Sequence, residues 1–399
     1  MLSEKSRKVI EETLPAMQER IRSITPVFYD TMLTEREDLL DGMFSRVDQT
    51  VGTQPRALAG SIVFFANYVL NHPTSSPDEI LTRVANKHAS LGVPSHEYVT
   101  VYQFLFKAIE EDFGDEYTEE FREAWTEIYW MMADALIRIE RNLYSQQVNE
   151  SVNSPFKLVK KVQSTRDVID LTFEPADDTP LTKAVPGQYV SVIVSTRDGL
   201  RQPRQYVVLP CAPNQRRIAV KVDRLGEISP QLAALEIGDV VDISNPYGDV
   251  TLDKSTPDSF SSLYIFTQDI GVAPALAFLH QLATENSTRD VVMVHSDKSL
   301  ASWALREDLE EVIEKLPNAR LISFLEAPGE GDFTGEINMR KIDIAPRSYA
   351  YLCGSVDFMQ TVRSKLIHDG VPGRNVQYEV FGSDQWMHTA TRRTMHRRY

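Results

Sequence analysis

The stretch Ser76-Pro77-Asp78-Glu79-Ile80-Leu81-Thr82-Arg83-Val84-Ala85-Asn86-Lys87-His88-Ala89-Ser90-Leu91-Gly92-Val93-Pro94 carries its own start and stop signals. Ser76 is placed to cap a helix, Pro77 fits a first helical position, and Glu79 can close a capping box. Gly92 and Pro94 end it. Between them Ile80, Val84 and His88 recur at helical spacing with Leu81 and Ala85 beside them, which puts the His88 imidazole on the apolar face. A buried imidazole needs a partner, which is a carbonyl, a hydroxyl or a metal ion; periodicity alone leaves the three open.

Outward from this helix the pattern stays helical to about Tyr144, with Thr25-Pro26 as a further start signal and a long stripe of Phe121, Trp125, Ile128, Met132, Ala135 and Ile139. Polar residues from Ser145 to Ser154 interrupt it. Pro155 then opens a run of short strands, expected at Phe156–Val162, Val168–Phe173, Tyr189–Val194, Gln205–Leu209, Ile218–Val222 and Val240–Ser244, which reads as a small antiparallel β-barrel. From about Ser262 strands (Leu263–Thr267, Val291–His295, Leu321–Leu325, Tyr349–Cys353, Val376–Val380) alternate with helices such as Ala275–Glu285 and Trp303–Lys315. That rhythm implies an α/β domain with a parallel sheet. The expected organisation is multidomain: all-α over residues 1–147, barrel over 153–257, α/β over 260–383, and a basic tail over 384–399.

A formal charge of -15 argues against broad nucleic-acid binding, which feeds on cationic surface. Arg392, Arg393, Arg397 and Arg398 are the exception, and they read as a solvated end or an anchor for an anionic surface. No apolar run approaches a membrane span and the start lacks a secretion signal, so a cytoplasmic protein is expected. Only Cys211 and Cys353 are present, too far apart in sequence to suggest a disulfide framework or a thiolate metal site. The eight histidines show no paired-ligand spacing, so a zinc site built from protein alone is not expected.

Several residues read together carry a resemblance. Phe28-Tyr29, Phe44, Gln54, Leu58, Lys87-His88, Tyr98 and Glu140 in the helical part, Pro186-Gly187-Gln188-Tyr189 and Arg204-Gln205-Tyr206-Val207 in the barrel, and the turn after the first α/β strand together resemble the flavohaemoglobins. These are haem globins followed by a ferredoxin-reductase-like module that binds FAD and a nicotinamide; the likeness spans nearly the whole chain. It implies that His88 is the proximal ligand of haem b, that Tyr98 and Glu140 form the hydrogen-bond relay behind it, and that Tyr29 and Gln54 hold oxygen on the distal face. Phe44, Leu58 and Lys87 are implied as haem-pocket residues. On local pattern alone Glu140 is a carboxylate interrupting an apolar face, either hydrogen-bonded there or reaching out to the rim, and Tyr29 is equally a packed core ring.

For FAD the resemblance implies Gln188, Tyr189, Arg204, Gln205, Tyr206, Val207, Gly226, Ser229, Glu379 and Phe381, with the turn Gly226-Glu227-Ile228-Ser229-Pro230 offering helix N–H groups to phosphate. For NAD(P)H it implies Asp269-Ile270-Gly271-Val272-Ala273-Pro274, Cys353-Gly354, Val380, Gly382 and Ser383. Departures from the family pattern concentrate here: Val207 stands where a serine is usual, Asp269 where the turn has glycine, Ser355 where proline is found, and the final segment has changed at two positions. In these departures the chain resembles a divergent second subgroup of flavohaemoglobins. An aspartate at 4 Å repels a phosphate by about 1 kcal/mol in water-like surroundings. The activity implied is nitric oxide dioxygenation, NO and O2 to nitrate with electrons from NAD(P)H through FAD, in a monomer or weak dimer. Two other expectations stand beside it: a haem-flavin oxidoreductase fed by a hydroxy acid or quinol, and a gas-binding sensor or oxygen store.

Overall fold

The computed structural model describes residues 2–44, 53–224, 226–252, 262–345 and 348–380, without the side chains of 53–57 and 59. Contacts divide it into two compact units, one built on the segment before Asn153 together with Ser195–Pro203, the other on Asn153–Val194 and Arg204 onward. Among the described residues no helix is long and apolar enough to cross a membrane.

The first unit is all-α: α1 (Glu4–Glu35), a 3-10 turn (Glu37–Leu40), α2 (Thr53–Asn71), α3 (Asp78–Leu91), α4 (Glu97–Phe113) and α5 (Glu119–Ser145). Ser3 caps α1 and Thr118 caps α5, each accepting a first-turn N–H on its hydroxyl. Phe28, Phe65 and Trp125 are fully buried in one cluster that joins α1, α2 and α5. Each contributes about 1.5–3 kcal/mol.

Two helix starts differ from expectation. Thr25-Pro26 opens no helix, because the Thr25 hydroxyl donates to the Ile21 carbonyl at 2.8 Å instead of capping, and α1 runs on through Pro26 at the loss of one backbone bond. Phe28-Tyr29 therefore sits on this first long helix rather than on a second one. At α3, Pro77 occupies the cap position rather than the first turn, and the Ser76 hydroxyl lies 3.4 Å from the Asp78 N–H. The Asp78 carboxylate pairs with Arg138 of α5. The far end is as read: Gly92, at φ +68°, closes the helix in the left-handed region.

Beyond Val152, β1 (Asn153–Gln163), β2 (Val168–Pro175), β3 (Tyr189–Ser195), β4 (Arg201–Val207), β5 (Arg216–Lys221) and β6 (Val240–Ser244) form an antiparallel sheet ordered β4-β3-β6-β1-β2-β5, with the short α6 (Ser229–Ala234) before β6. A bridge from Leu209 to Arg217 brings the two edges together, so the barrel is nearly closed. Then follow β7 (Ser262–Gln268), α7 (Val272–Thr284), β8 (Asp290–Asp297), α8 (Arg306–Glu314), β9 (Ala319–Leu325), β10 (Phe333–Thr334), β11 (Ser348–Cys353), α9 (Val356–His368) and β12 (Val376–Glu379). Their sheet is parallel in the order β10-β9-β8-β7-β11-β12. The order reverses between β7 and β11, and the strand ends at such a switch point form a crevice for ligands. Helix α8 begins later than the sequence pattern suggests, since Trp303 lies flat against His295, with centroids 4.4 Å apart, before the helix starts.

Barrel and parallel sheet share a core in which Val168, Leu209, Ala219 and Val250 pack with residues of β7 and α7. Gly187, at φ +97°, lets this contact close: a Cβ there would lie 2.3 Å from the Val250 carbonyl and 2.5 Å from the Phe278 ring. Gly187→Ala is expected to lower the unfolding midpoint of the second unit by the equivalent of about 2 kcal/mol or more. Gly199→Ala, at φ +89° with nothing within 4 Å, is the control that carries backbone strain alone. Denaturant melts of both variants check the difference.

Burial also holds the Tyr29 and Tyr129 phenols above their ordinary value. The unfolded chain ionises them near pH 10, so this stability is complete below that pH and is lost as pH rises toward the folded values, at about 1.4 kcal/mol per pH unit for each tyrosine. Urea melts followed by helical circular dichroism should show this slope, and Tyr29→Phe should reduce it by one tyrosine's share.

Candidate functional site

Three helices of the first unit meet at one carboxylate. His88 on α3 approaches Glu140 of α5 with Nδ1 3.0 Å from Oε1, Tyr98 on the first turn of α4 donates its hydroxyl to the same oxygen at 2.6 Å, and Nδ1 lies 2.9 Å from that hydroxyl. Tyr129 of α5 donates to the Tyr98 backbone carbonyl at 2.6 Å and fixes the turn that carries it. Glu140 is only 3% exposed, so it does not reach out to the rim. Burial above all, and then Glu140, hold the Tyr98 phenol far above its ordinary value, which keeps it a hydrogen donor.

With the Tyr98 proton already on Oε1, Nδ1 serves the carboxylate as an N–H donor, and the imidazole lone pair is left on Nε2. Nε2 makes no hydrogen bond among the described residues, while the His88 side chain remains 30% exposed. Among the described residues no group of three His, Cys, Asp or Glu side chains is arranged to hold a metal ion. Iron at Nε2 would therefore arrive with its other donors, as it does in a porphyrin. The residues fit that group.

Tyr29 is 7% exposed, its ring edge-on to Phe44 at 6.0 Å, and its hydroxyl makes no hydrogen bond among the described residues. Phe44 and Leu58 are half-buried against the same cluster as Tyr29 and Tyr98. Lys87 is half-buried on α3 beside His88. The Gln54 side chain lies outside the described residues. No local pattern marks Gln202, which is fully buried and donates to the carbonyls of Leu40 at 2.7 Å and Phe44 at 3.1 Å, holding the turn on which Phe44 sits.

In the barrel, β4 presents Arg204, Gln205 and Tyr206 half-buried and Val207 buried. Gln205 donates to the Ser191 hydroxyl at 3.0 Å. Gln188 folds back on its own turn, its Oε1 accepting the Val185 N–H at 2.9 Å, and Tyr189 pairs through its backbone with Tyr247. Burial pushes the Tyr206 phenol up, against the opposing effect of Arg204. The turn at Gly226 leads into only the six residues of α6, and the Ser229 hydroxyl accepts the Asp223 N–H at 2.9 Å. Ser229 therefore organises its loop first.

At the switch point lie the predicted nicotinamide residues 269–274 and Cys353-Gly354, at the ends of β7 and β11. A Cβ on Gly271 would stand 2.3 Å from the Cys353 carbonyl, and one on Gly354 2.8 Å from Gln268, so two glycines let the ends of β7 and β11 touch. Val272, Ala273 and Pro274 are buried in the first turn of α7, and Ile270 packs against the core. Ser355, in place of proline, caps α9 and donates to Gln268 Oε1 at 2.6 Å. Glu379 closes β12 in register with Cys353, whose buried thiol is pushed well up by desolvation and then by Glu379. Val380 is half-buried, and Phe381, Gly382, Ser383 and the basic tail lie outside the described residues. Asp269 adopts φ +55°, a conformation suited to glycine; its Oδ1 accepts the Ile270 N–H at 2.7 Å and its Oδ2 pairs with Lys221 of β5. Lys221 had no local signal, because it stands 48 residues from Asp269 in the chain.

Residues 27–136 match the Globin family, 155–252 the oxidoreductase FAD-binding domain and 270–364 the oxidoreductase NAD-binding domain. The chain is 32% identical over 404 residues to a flavohemoprotein of Bordetella parapertussis, covering 96% of this chain and 99% of that one. A flavohemoprotein of Rhizobium meliloti is 30% identical over 407 residues, with 96% and 99% covered. Among solved structures, the flavohemoglobin of Malassezia yamatoensis with bound FAD and heme is 50% identical and superposes with a TM-score of 0.93 over 96% of this chain and all of that one. A globin with a lone imidazole nitrogen, followed by FAD- and NAD-binding modules in this order, places the chain in the flavohaemoprotein family, with haem, FAD and a nicotinamide dinucleotide as its cofactors.

Proposed function

We propose that this chain is a nitric oxide dioxygenase, converting NO and O2 to nitrate with reducing equivalents from NAD(P)H. When bound, haem b supplies iron that activates O2, and FAD supplies the conversion of a hydride into single electrons. The observation that carries this reading is the double hold on His88 Nδ1: Glu140 and Tyr98 fix the ring and enrich Nε2 in electron density, which suits oxygen activation more than storage. Nε2 is the atom that would hold iron. Tyr29, kept protonated by burial, is an O–H donor with no partner among the described residues and would steady a bound gas ligand; by family resemblance Gln54 would share that role. Arg204 and Tyr206 on β4 would hold the flavin by charge and by ring stacking, and the glycine-opened crevice between β7 and β11 would admit the nicotinamide.

A second reading, in which a hydroxy acid or quinol donates the electrons, draws on Asp269, whose carboxylate occupies a turn otherwise suited to phosphate. Stopped-flow flavin reduction by NADH against these donors separates the two, and rapid reduction by NADH removes the second.

Purified, FAD-loaded protein should form nitrate in proportion to the NO and NAD(P)H it consumes. His88→Ala should abolish the Soret band, while Glu140→Gln should keep it and lower the turnover rate by about 10–100-fold. Tight O2 retention without nitrate would overturn the proposal.

A further inference from the structure

Asp269 places an anion of the chain's own where the crevice would receive one. It stands at the carboxyl end of β7, at the switch point, in a left-handed conformation that is unfavourable for most non-glycine residues. That conformation turns its carboxylate back to take the Ile270 N–H and, at the same time, the ammonium of Lys221. Lys221 ends β5, whose alternate residues Arg217, Ala219 and Lys221 share one face. Along that face Arg217 pairs with Asp170 of the barrel and Asp308 of α8, Ala219 joins the shared apolar core, and Lys221 reaches Asp269. The Arg217 end is half-buried and doubly paired. The Lys221 end is more open, with both side chains 39% exposed.

From this we infer that Asp269 is an internal competitor for the pyrophosphate of the nicotinamide dinucleotide, and that Lys221 is the cation the two exchange. The inference rests on the nicotinamide-driven reading of the same crevice. A pyrophosphate diester and a carboxylate are both oxyanions that satisfy a backbone N–H and an ammonium, and both cannot hold the same pair at once. Dinucleotide entry then swings the Asp269 carboxylate off Ile270 and Lys221, and the barrel keeps its grip on the α/β half through Arg217. The chain is set to bind its reductant weakly and to release it readily.

Calorimetric titration of the haem- and FAD-loaded full chain with NAD+ and with ADP-ribose tests this without reference to turnover. Asp269→Gly, which suits the backbone, and Asp269→Asn, which keeps the shape without the charge, should each tighten both ligands by about tenfold. Lys221→Met should weaken binding in the unaltered chain and cancel the gain in either Asp269 background. Equal affinity across the series would overturn the competition while leaving nicotinamide as the donor. Absence of dinucleotide binding in every variant would overturn both the inference and the nicotinamide-driven reading.

Discussion

A carboxylate with 3% exposure governs the helical unit. Removing an ionised carboxylate from water costs several kcal/mol unless it is hydrogen-bonded on arrival, and Glu140 meets that condition only when α3 brings His88 and α4 brings Tyr98 to the same oxygen. The three helices share one apolar cluster, and the need to satisfy this single atom fixes how they meet at His88. The consequence for chemistry follows from the same bonds: with Nδ1 committed as a donor, the imidazole has only Nε2 left to bind a further group. Phe44, Leu58 and Tyr29 then form an apolar wall carrying one hydroxyl, held in part by Gln202 gripping the turn at Phe44.

The reductase half depends on close backbone approach rather than on a buried charge. Gly187, Gly271 and Gly354 each occupy a place where a methyl group would collide with a carbonyl, a ring or a neighbouring chain segment. Removing side chains there lets the barrel lie against α7 and lets the ends of β7 and β11 meet, which is what makes the crevice. The charged face of β5 does the complementary work. Arg217, though partly desolvated, is matched by two carboxylates, so its ion pairs hold barrel and sheet in one register.

Substitutions that look damaging in the sequence acquire local reasons in the fold. Ser355 replaces proline at a helix cap, where a hydroxyl serves at least as well. Asp269 replaces glycine yet still adopts a glycine-like φ, with its charge balanced by Lys221. Val207 replaces serine at a buried position, and nothing in the structure explains that choice.

The order of helical, barrel and α/β segments was legible along the chain because hydrophobic period is a local property: the stripes of α5 and the alternating strands announce themselves within a few residues. His88 on an apolar face and Gly92 as a stop were equally local. Helix starts were less so, since a Thr-Pro pair is a signal only if its hydroxyl is free to cap, and the Thr25 hydroxyl bonds back to Ile21, while at α3 the cap position itself falls on Pro77. Which group His88 would meet, whether Glu140 would turn inward, and what would answer the charge of Asp269 depended on residues 52, 42 and 48 positions apart being made neighbours. Sequence determined the elements and the candidate chemistry; tertiary structure decided the pairings, because desolvation penalises a buried charge until a distant residue arrives to meet it.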